Sequence, residues 1–414
     1  MTIETRILCL ADRLSVATGL GTRALEADSL IDAALSRTPD VSFGADADSN
    51  RVRESLGRLC DALDREAGLS LVGRIAARWD ALRCLGNLLR LREEERRRPE
   101  IAAVAIDQPL IITGLPRSGT TFLHRLLDCD TANLSPSCWQ VMAPYPPRRG
   151  ADRRVRATER QLQSFARMAP DFRSVHPLSA SMPQECTEIT AQVFQSLRYD
   201  TTFRIPSYLA WLDAEGHRDA YRFHKRFLQH LQFQRGKAAG ETRWVLKCPD
   251  HVFALDAVRA VYPDARIVFV HRDPPKVLAS VARLTEILRG PFARVISREE
   301  IGHQVAARWE QGARAMIAAA PAGRNGGDGI FHVQYKDFAR EPLGTIKDLY
   351  SYFDMPLDEH ASSRMAAEVA DRPRGGYGAN IYNLRDHGLE LTQERARFLD
   401  YTAHFDIAAE AQAS

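Results

Sequence analysis

Leu110-Ile-Ile-Thr-Gly-Leu-Pro-Arg-Ser-Gly-Thr-Thr-Phe-Leu-His-Arg-Leu-Leu127 is a short apolar run ending in glycine, a turn, and then an apolar stretch at helical spacing. The order strand, glycine-containing turn, helix points the backbone amides of the turn inward at a helix N-terminus, where they form a nest for an anion. Ser118, Thr120 and Thr121 add hydroxyl donors, and Gly119 lets an oxyanion approach the main chain. The spacing G-x-x-x-x-G-x-T is close to that of a nucleoside-triphosphate loop. That loop needs lysine directly after its second glycine, to reach the β- and γ-phosphates, and Thr120 stands there instead. The one cation within the turn is Arg117.

Outward from this segment, further apolar runs at Trp244–Leu246, Ile267–Val270 and Ile330–Val333 alternate with longer helical patterns. Fully apolar strands separated by helices predict an α/β fold, a P-loop-like parallel β-sheet flanked by helices on both faces. Residues 1–100 read as an N-terminal helical region, with Leu56, Leu59 and Leu63, then Leu82, Leu85 and Leu89, at helical spacing and Pro99 as a stop. Residues 101–414 form the α/β domain. An insertion over about 136–240 follows the first strand–loop–helix and is helical from about Arg154 to Gln234. Pro136–Pro147 and Arg372–Gly378 are irregular, and the Ala-rich last ten residues are expected to fray.

Composition narrows the class. The chain has 414 residues, 45% hydrophobic and 26% charged, with a formal net charge of +3. So nearly neutral a balance predicts neither nucleic acid nor an anionic membrane as a partner at the whole-chain level. The seven cysteines form no C-x-x-C pair and have no histidines at metal-ligand spacing, so neither a disulfide framework nor a metal site is expected. The N-terminus shows no signal-peptide pattern and no apolar run approaches a membrane span, which predicts a cytoplasmic protein without an integral membrane segment. A homodimer stays open.

A second anion site is written further on. Ala265-Arg-Ile-Val-Phe-Val-His-Arg-Asp-Pro274 is a buried strand running into a turn, and the helix that begins at Pro274 carries Ser280 about two turns along. Arg272 falls at the carboxyl edge of the strand, where open parallel sheets bind ligands, and its guanidinium suits a terminal phosphate bidentately.

These two motifs, in this order, resemble those of the PAPS-dependent sulfotransferases. Leu115, Pro116, Arg117, Ser118, Gly119, Thr120 and Thr121 are similar to the family's 5′-phosphosulfate loop, and Arg272 with Ser280 to its 3′-phosphate motif. Trp244–His251, Tyr262–Arg266 and His271–Pro274 look like a large bacterial branch, the likeness covering about residues 109–390. The resemblance implies transfer of the sulfuryl group of PAPS, without a metal, to a hydroxyl of a small or lipid-like acceptor, releasing PAP. It implies cations at the bridging oxygen, for which Arg117 and Lys247 are the candidates. For the general base it leaves Glu185, in Met182-Pro-Gln-Glu-Cys186, and His251, which stands four residues after Lys247 where cytosolic members have histidine two residues on. Met182–Cys186 is expected to open an amphipathic helix with Ile189, Val193 and Phe194. Arg374 and Gly375 match a basic loop that closes on the nucleotide. The insertion and Pro136–Pro147 would wall the acceptor, with Trp139, Tyr145, Phe165, Phe172, Phe194, Tyr199, Phe203, Tyr208 and Trp211 available. A P-loop phosphotransferase and a non-catalytic PAP-binding protein are the competing readings.

Overall fold

The computed structural model describes residues 24–38, 41–147, 149–175, 177–236, 242–323, 329–371 and 383–410. The N-terminal helices are α1 (Ala27–Leu35), α2 (Ala47–Arg65) and α3 (Leu71–Arg97). Then come β1 (Leu110–Gly114), α4 (Thr120–Asp128), β2 (Asn133–Leu134), α5 (Arg154–Met168), α6 (Arg218–Arg235), β3 (Arg243–Lys247) and β4 (Arg266–His271). They are followed by α7 (Pro274–Arg289), α8 (Arg298–Ala319), β5 (Ile330–Gln334) and α9 (Pro342–Tyr352).

The five strands form one sheet in the order β2-β3-β1-β4-β5, with every pairing parallel. β1 lies at its centre with all five residues buried. Leu110, Ile112, Val245, Val268 and Val270 face α4 and α9, whereas Ile111 and Leu246, with Ile267 and Phe269, pack on the opposite side. Successive strand residues point to opposite faces, so covering both is what makes the strands read as unbroken apolar runs. The two-residue β2, paired to Arg243 and Trp244, is the strand that sequence patterning did not show.

α3 begins at Ser70, whose hydroxyl caps the helix by accepting from the Gly73 N–H at 3.1 Å, and ends just before Pro99. A Cβ at Gly73 would stand 2.2 Å from the Phe292 carbonyl oxygen. Ser70 N–H donates to that same oxygen at 2.8 Å, and Arg294 N–H to the Gly68 carbonyl at 3.0 Å. These bonds tie residues 68–73 to the segment after α7. Buried side chains of α1–α3, the insertion and one sheet face form one continuous core.

Two local expectations change. The helix expected from Met182 onward is only Thr187–Thr190, continued by a 3₁₀ turn over Ala191–Val193 and broken by Phe194 at φ 57°. Before it, Gln184 N–H bonds to the Pro136 carbonyl and Cys186 N–H to that of Lys247, which draws the segment against the end of β3. The C-terminal residues do not fray as far back as expected: Phe405 is fully buried and Glu410 N–H donates to Asp273 Oδ2 at 2.9 Å.

Candidate active site

β1 delivers the chain to Gly114 at φ 137°, where a Cβ would meet the Val270 carbonyl oxygen of β4 at 2.2 Å. Glycine is therefore required for the two central strands to run this close at the carboxyl edge. Arg117 follows at φ 60°, a left-handed conformation that costs a non-glycine residue about 1–2 kcal/mol. Such strain collects at functional sites. The Ser118 hydroxyl donates to the Leu115 carbonyl at 2.6 Å, and both residues are fully buried. The Ser118 hydroxyl thus knits the turn, and the Leu115 side chain packs into the core. Pro116, Arg117, Gly119, Thr120 and Thr121 line the adjoining cavity. Among the described residues, the N–H groups of Ser118, Gly119, Thr120 and Thr121 meet no acceptor, which leaves a row of donors at the start of α4.

The second site stands beside the first. Arg117 Nε donates to Ser280 Oγ at 3.0 Å, and an Arg272 guanidinium nitrogen donates to the Arg117 carbonyl at 2.8 Å. The other edge of Arg272 forks Glu410, with N···O distances of 2.9 and 3.0 Å, while its guanidinium lies 4.0 Å above the Tyr335 ring. A carboxylate from the C-terminal segment thus occupies the bidentate face that a phosphate would use. Arg374 and Gly375 lie outside the described residues.

At the end of β3, Lys247 is 2% exposed and lies on the sheet face covered by α4. Its ammonium bonds Glu185 at 2.5 Å and Thr121 Oγ1 at 3.3 Å, and both partners line the cavity. Lys247 stands behind the wall and holds two of its residues in place. His251 is 1% exposed and away from the cavity, with Nδ1 against the Tyr221 hydroxyl inside a cluster of Tyr221, His224 and Tyr262. Burial, then the neighbouring His224 and Lys247 charges, depress its pKa far below the usual imidazole range. The carboxylate that sequence reasoning missed is Asp250. It lines the cavity, and its pKa is pushed up to about 7 by burial and by the Glu185 charge, against the opposing pull of Arg308. The available signal was its place just past a strand's carboxyl end.

The cavity holds about 810 Å³ and continues from these groups into an apolar chamber. Phe165, Phe172, Tyr199 and Phe203 line it as expected, whereas Trp139, Tyr145, Phe194, Tyr208 and Trp211 do not. Leu284, Leu288 and Phe292 join from α7 and the turn after it, and Trp309 from α8. Ala76, Trp79 and Asp80 show that α3 supplies part of the wall. Asp80 is held between Arg83 at 2.6 Å and Arg198 at 2.5 Å, and Glu188 lies 3.5 Å from Arg198. Among the described residues the cysteines Cys60, Cys84, Cys129, Cys138, Cys186 and Cys248 are unpaired, and no group of side chains is placed to hold a metal ion.

The sequence and the fold both match known proteins. Residues 109–359 match the sulfotransferase family, and the chain belongs to it. It is an enzyme that transfers a sulfuryl group from a sulfonate donor. It is 25% identical over 296 residues to the omega-hydroxy-beta-dihydromenaquinone-9 sulfotransferase Stf3 of Mycobacterium bovis, a span covering 68% of this chain and 71% of the relative. Its fold is similar to the crystal structure of sulfotransferase STF1 from Mycobacterium tuberculosis, with TM-score 0.77, 30% identity and coverage of 91% and 99% of the two chains. Sulfotransferase STF9 from Mycobacterium avium gives 0.80 at 28% identity, covering 94% and 99%. No helix among the described residues is long and apolar enough to cross a membrane.

Proposed function

We propose that the sulfonate donor is PAPS and that the acceptor is a lipophilic alcohol. The observation that carries this reading is the opening of two cationic sites, joined by the Arg117–Ser280 bond, onto one cavity that continues as an apolar chamber. The 5′-phosphosulfate would take the free N–H row and the Thr120 and Thr121 hydroxyls. The 3′-phosphate would take Arg272 and Ser280, displacing Glu410 from the guanidinium fork. An acceptor related to the omega-hydroxy-beta-dihydromenaquinone-9 named for the Mycobacterium bovis relative suits the chamber, with its phenylalanines and leucines.

In the reaction the acceptor oxygen attacks sulfur in line. The bond from sulfur to the bridging oxygen breaks, and its electron pair leaves on PAP. Arg117, and Lys247 acting through Thr121, supply positive potential where that charge develops. The acceptor proton passes to Glu185, the carboxylate that Lys247 holds at the cavity wall. No metal is called on. Free thiols at six described cysteines suit a cytoplasmic setting.

Thermal melts test the donor assignment. PAP at about a hundred times its Kd, with chelator present, is expected to add about 2.7 kcal/mol of stability. A melt unmoved by PAP but raised by ATP with magnesium would sink the reading.

A further inference from the structure

α3 and α5 both line the cavity, and both also carry large apolar side chains that are left exposed. Among the described residues the large hydrophobic side chains left exposed are Ile75, Trp79, Val155, Met168, Val295, Tyr352 and Leu399; four of these seven lie on α3 and α5. Their places on those helices are not random. Ile75 is one turn before Trp79, which itself lines the cavity. Val155 and Met168 flank Thr158, Leu162 and Phe165 at i, i+3 and i+4 spacings along the cavity face of α5. The apolar wall of the chamber therefore continues out onto the surface at both helices.

The polar surroundings of this rim carry an excess of arginine. Arg78, Arg153, Arg156, Arg160 and Arg167 are all exposed, and among the described residues none of them makes an ion pair. The acids nearby are committed elsewhere: Asp152 pairs with Arg154, Asp80 with Arg83 and Arg198, and Glu159 accepts from the Ala180 N–H. Exposed tryptophan, methionine and branched aliphatic side chains on helices that also carry unpaired, exposed arginines match the composition of a helix lying in a bilayer interface. The +3 balance of the whole chain hides this local excess of positive charge.

We propose that the α3–α5 rim docks on an anionic phospholipid surface, so that the chamber mouth opens onto the bilayer that holds the acceptor. This rests on the lipophilic-acceptor reading, since a soluble acceptor would need no such approach. The unpaired arginines favour an anionic bilayer over a zwitterionic one and over an apolar protein partner. The chain has no spanning helix among its described residues, so contact of this kind is peripheral and salt-sensitive.

Vesicle flotation with the full chain tests it, using phosphatidylcholine vesicles with and without phosphatidylglycerol and no acceptor present. The wild type is expected to float with the anionic vesicles at about 0.1 M salt and to be released at about 1 M. The triple variant Arg156→Glu, Arg160→Glu, Arg167→Glu, which touches no cavity-lining residue, should lose at least about tenfold in vesicle affinity. Its stabilisation by PAP should remain that of the wild type, showing that it folds. The proposal is overturned if the wild type ignores anionic vesicles, if the variant floats equally well, or if the variant instead abolishes a concentration-dependent dimer. Turnover of an acceptor dispersed in detergent is a separate readout. Turnover with failed flotation removes only the docking surface, whereas flotation without turnover of any lipophilic alcohol removes only the acceptor reading.

Discussion

At the end proposed to hold the donor, the cavity is walled by the loop after β1, by Arg272 just past β4 and by Ser280 on α7, gathered at the carboxyl edge of neighbouring central strands. At the end proposed to hold the acceptor, the wall is assembled from α3, α5, α7, α8 and the insertion, with lining residues that run from Ala76 to Trp309 along the chain. The first end is backbone donors and fixed charge, and the second is mostly side-chain carbon. A donor that every member of a reaction class shares can be met by short-range geometry fixed by a strand, a turn and a helix. An acceptor that differs from protein to protein is met by surfaces whose composition is free to change without disturbing the sheet.

Substitutions should separate the two ends, and Glu185→Gln is expected to do most. It should lower kcat by about 10²–10⁴ with the affinity for PAP unchanged. It should also lower the melting temperature, because Lys247 loses its buried counter-charge. His251→Ala should act on stability alone, through the Tyr221–His224–Tyr262 cluster, leaving kcat per folded molecule intact. A kcat collapse in His251→Ala with normal activity in Glu185→Gln would reverse the assignment.

Arg272→Ala comes next. Loss of a charge-assisted phosphate contact of about 1.5–3 kcal/mol weakens PAP by roughly ten- to a hundredfold in calorimetry. The acceptor KM should hold. An unchanged affinity for PAP would separate Arg272 from the donor end.

Asp250 gives a pH signature. Its folded-state pKa of about 7 stands above the ordinary carboxylate value, so between about pH 4 and 7 the folded protein holds a proton that the unfolded chain has released. Asp250 therefore makes stability fall as pH rises through that window, and the effect levels off above it. Asp250→Asn should flatten this part of the melting temperature–pH curve, and an unaltered curve would show that Asp250 does not titrate there. The smallest effect is expected for Glu410→Gln. Removing a partly buried competitor from Arg272 should tighten PAP by a few-fold, since ion pairs near the surface are worth about 0.2–1 kcal/mol.

The sequence was most legible where function depends on spacing along the chain. Gly114, Arg117 and Thr120 declared an anion turn, and Arg272 with Ser280 a second site, because each group is set by the strand or helix that carries it. It was least legible where function depends on which way a buried side chain turns. His251 stands close to Lys247 in the chain but points into an aromatic cluster, while its neighbour Asp250 faces the cavity. Ser118 looked like a ligand donor and instead closes its own turn on Leu115. Trp79 and Ala76, in a region without catalytic motifs, reach the chamber from a helix whose start is hydrogen-bonded to the segment after α7. Glu410 could not be foreseen, since the pairing spans 138 positions.

Transfer of radiolabelled sulfuryl from PAPS, with chelator present, to a panel of hydroxyl compounds ranging from sugars to long-chain isoprenoid alcohols tests the central claim most directly. Label is expected on the lipophilic alcohols and is expected to be lost in Glu185→Gln. Tight PAP binding with no label on any acceptor would contradict the claim.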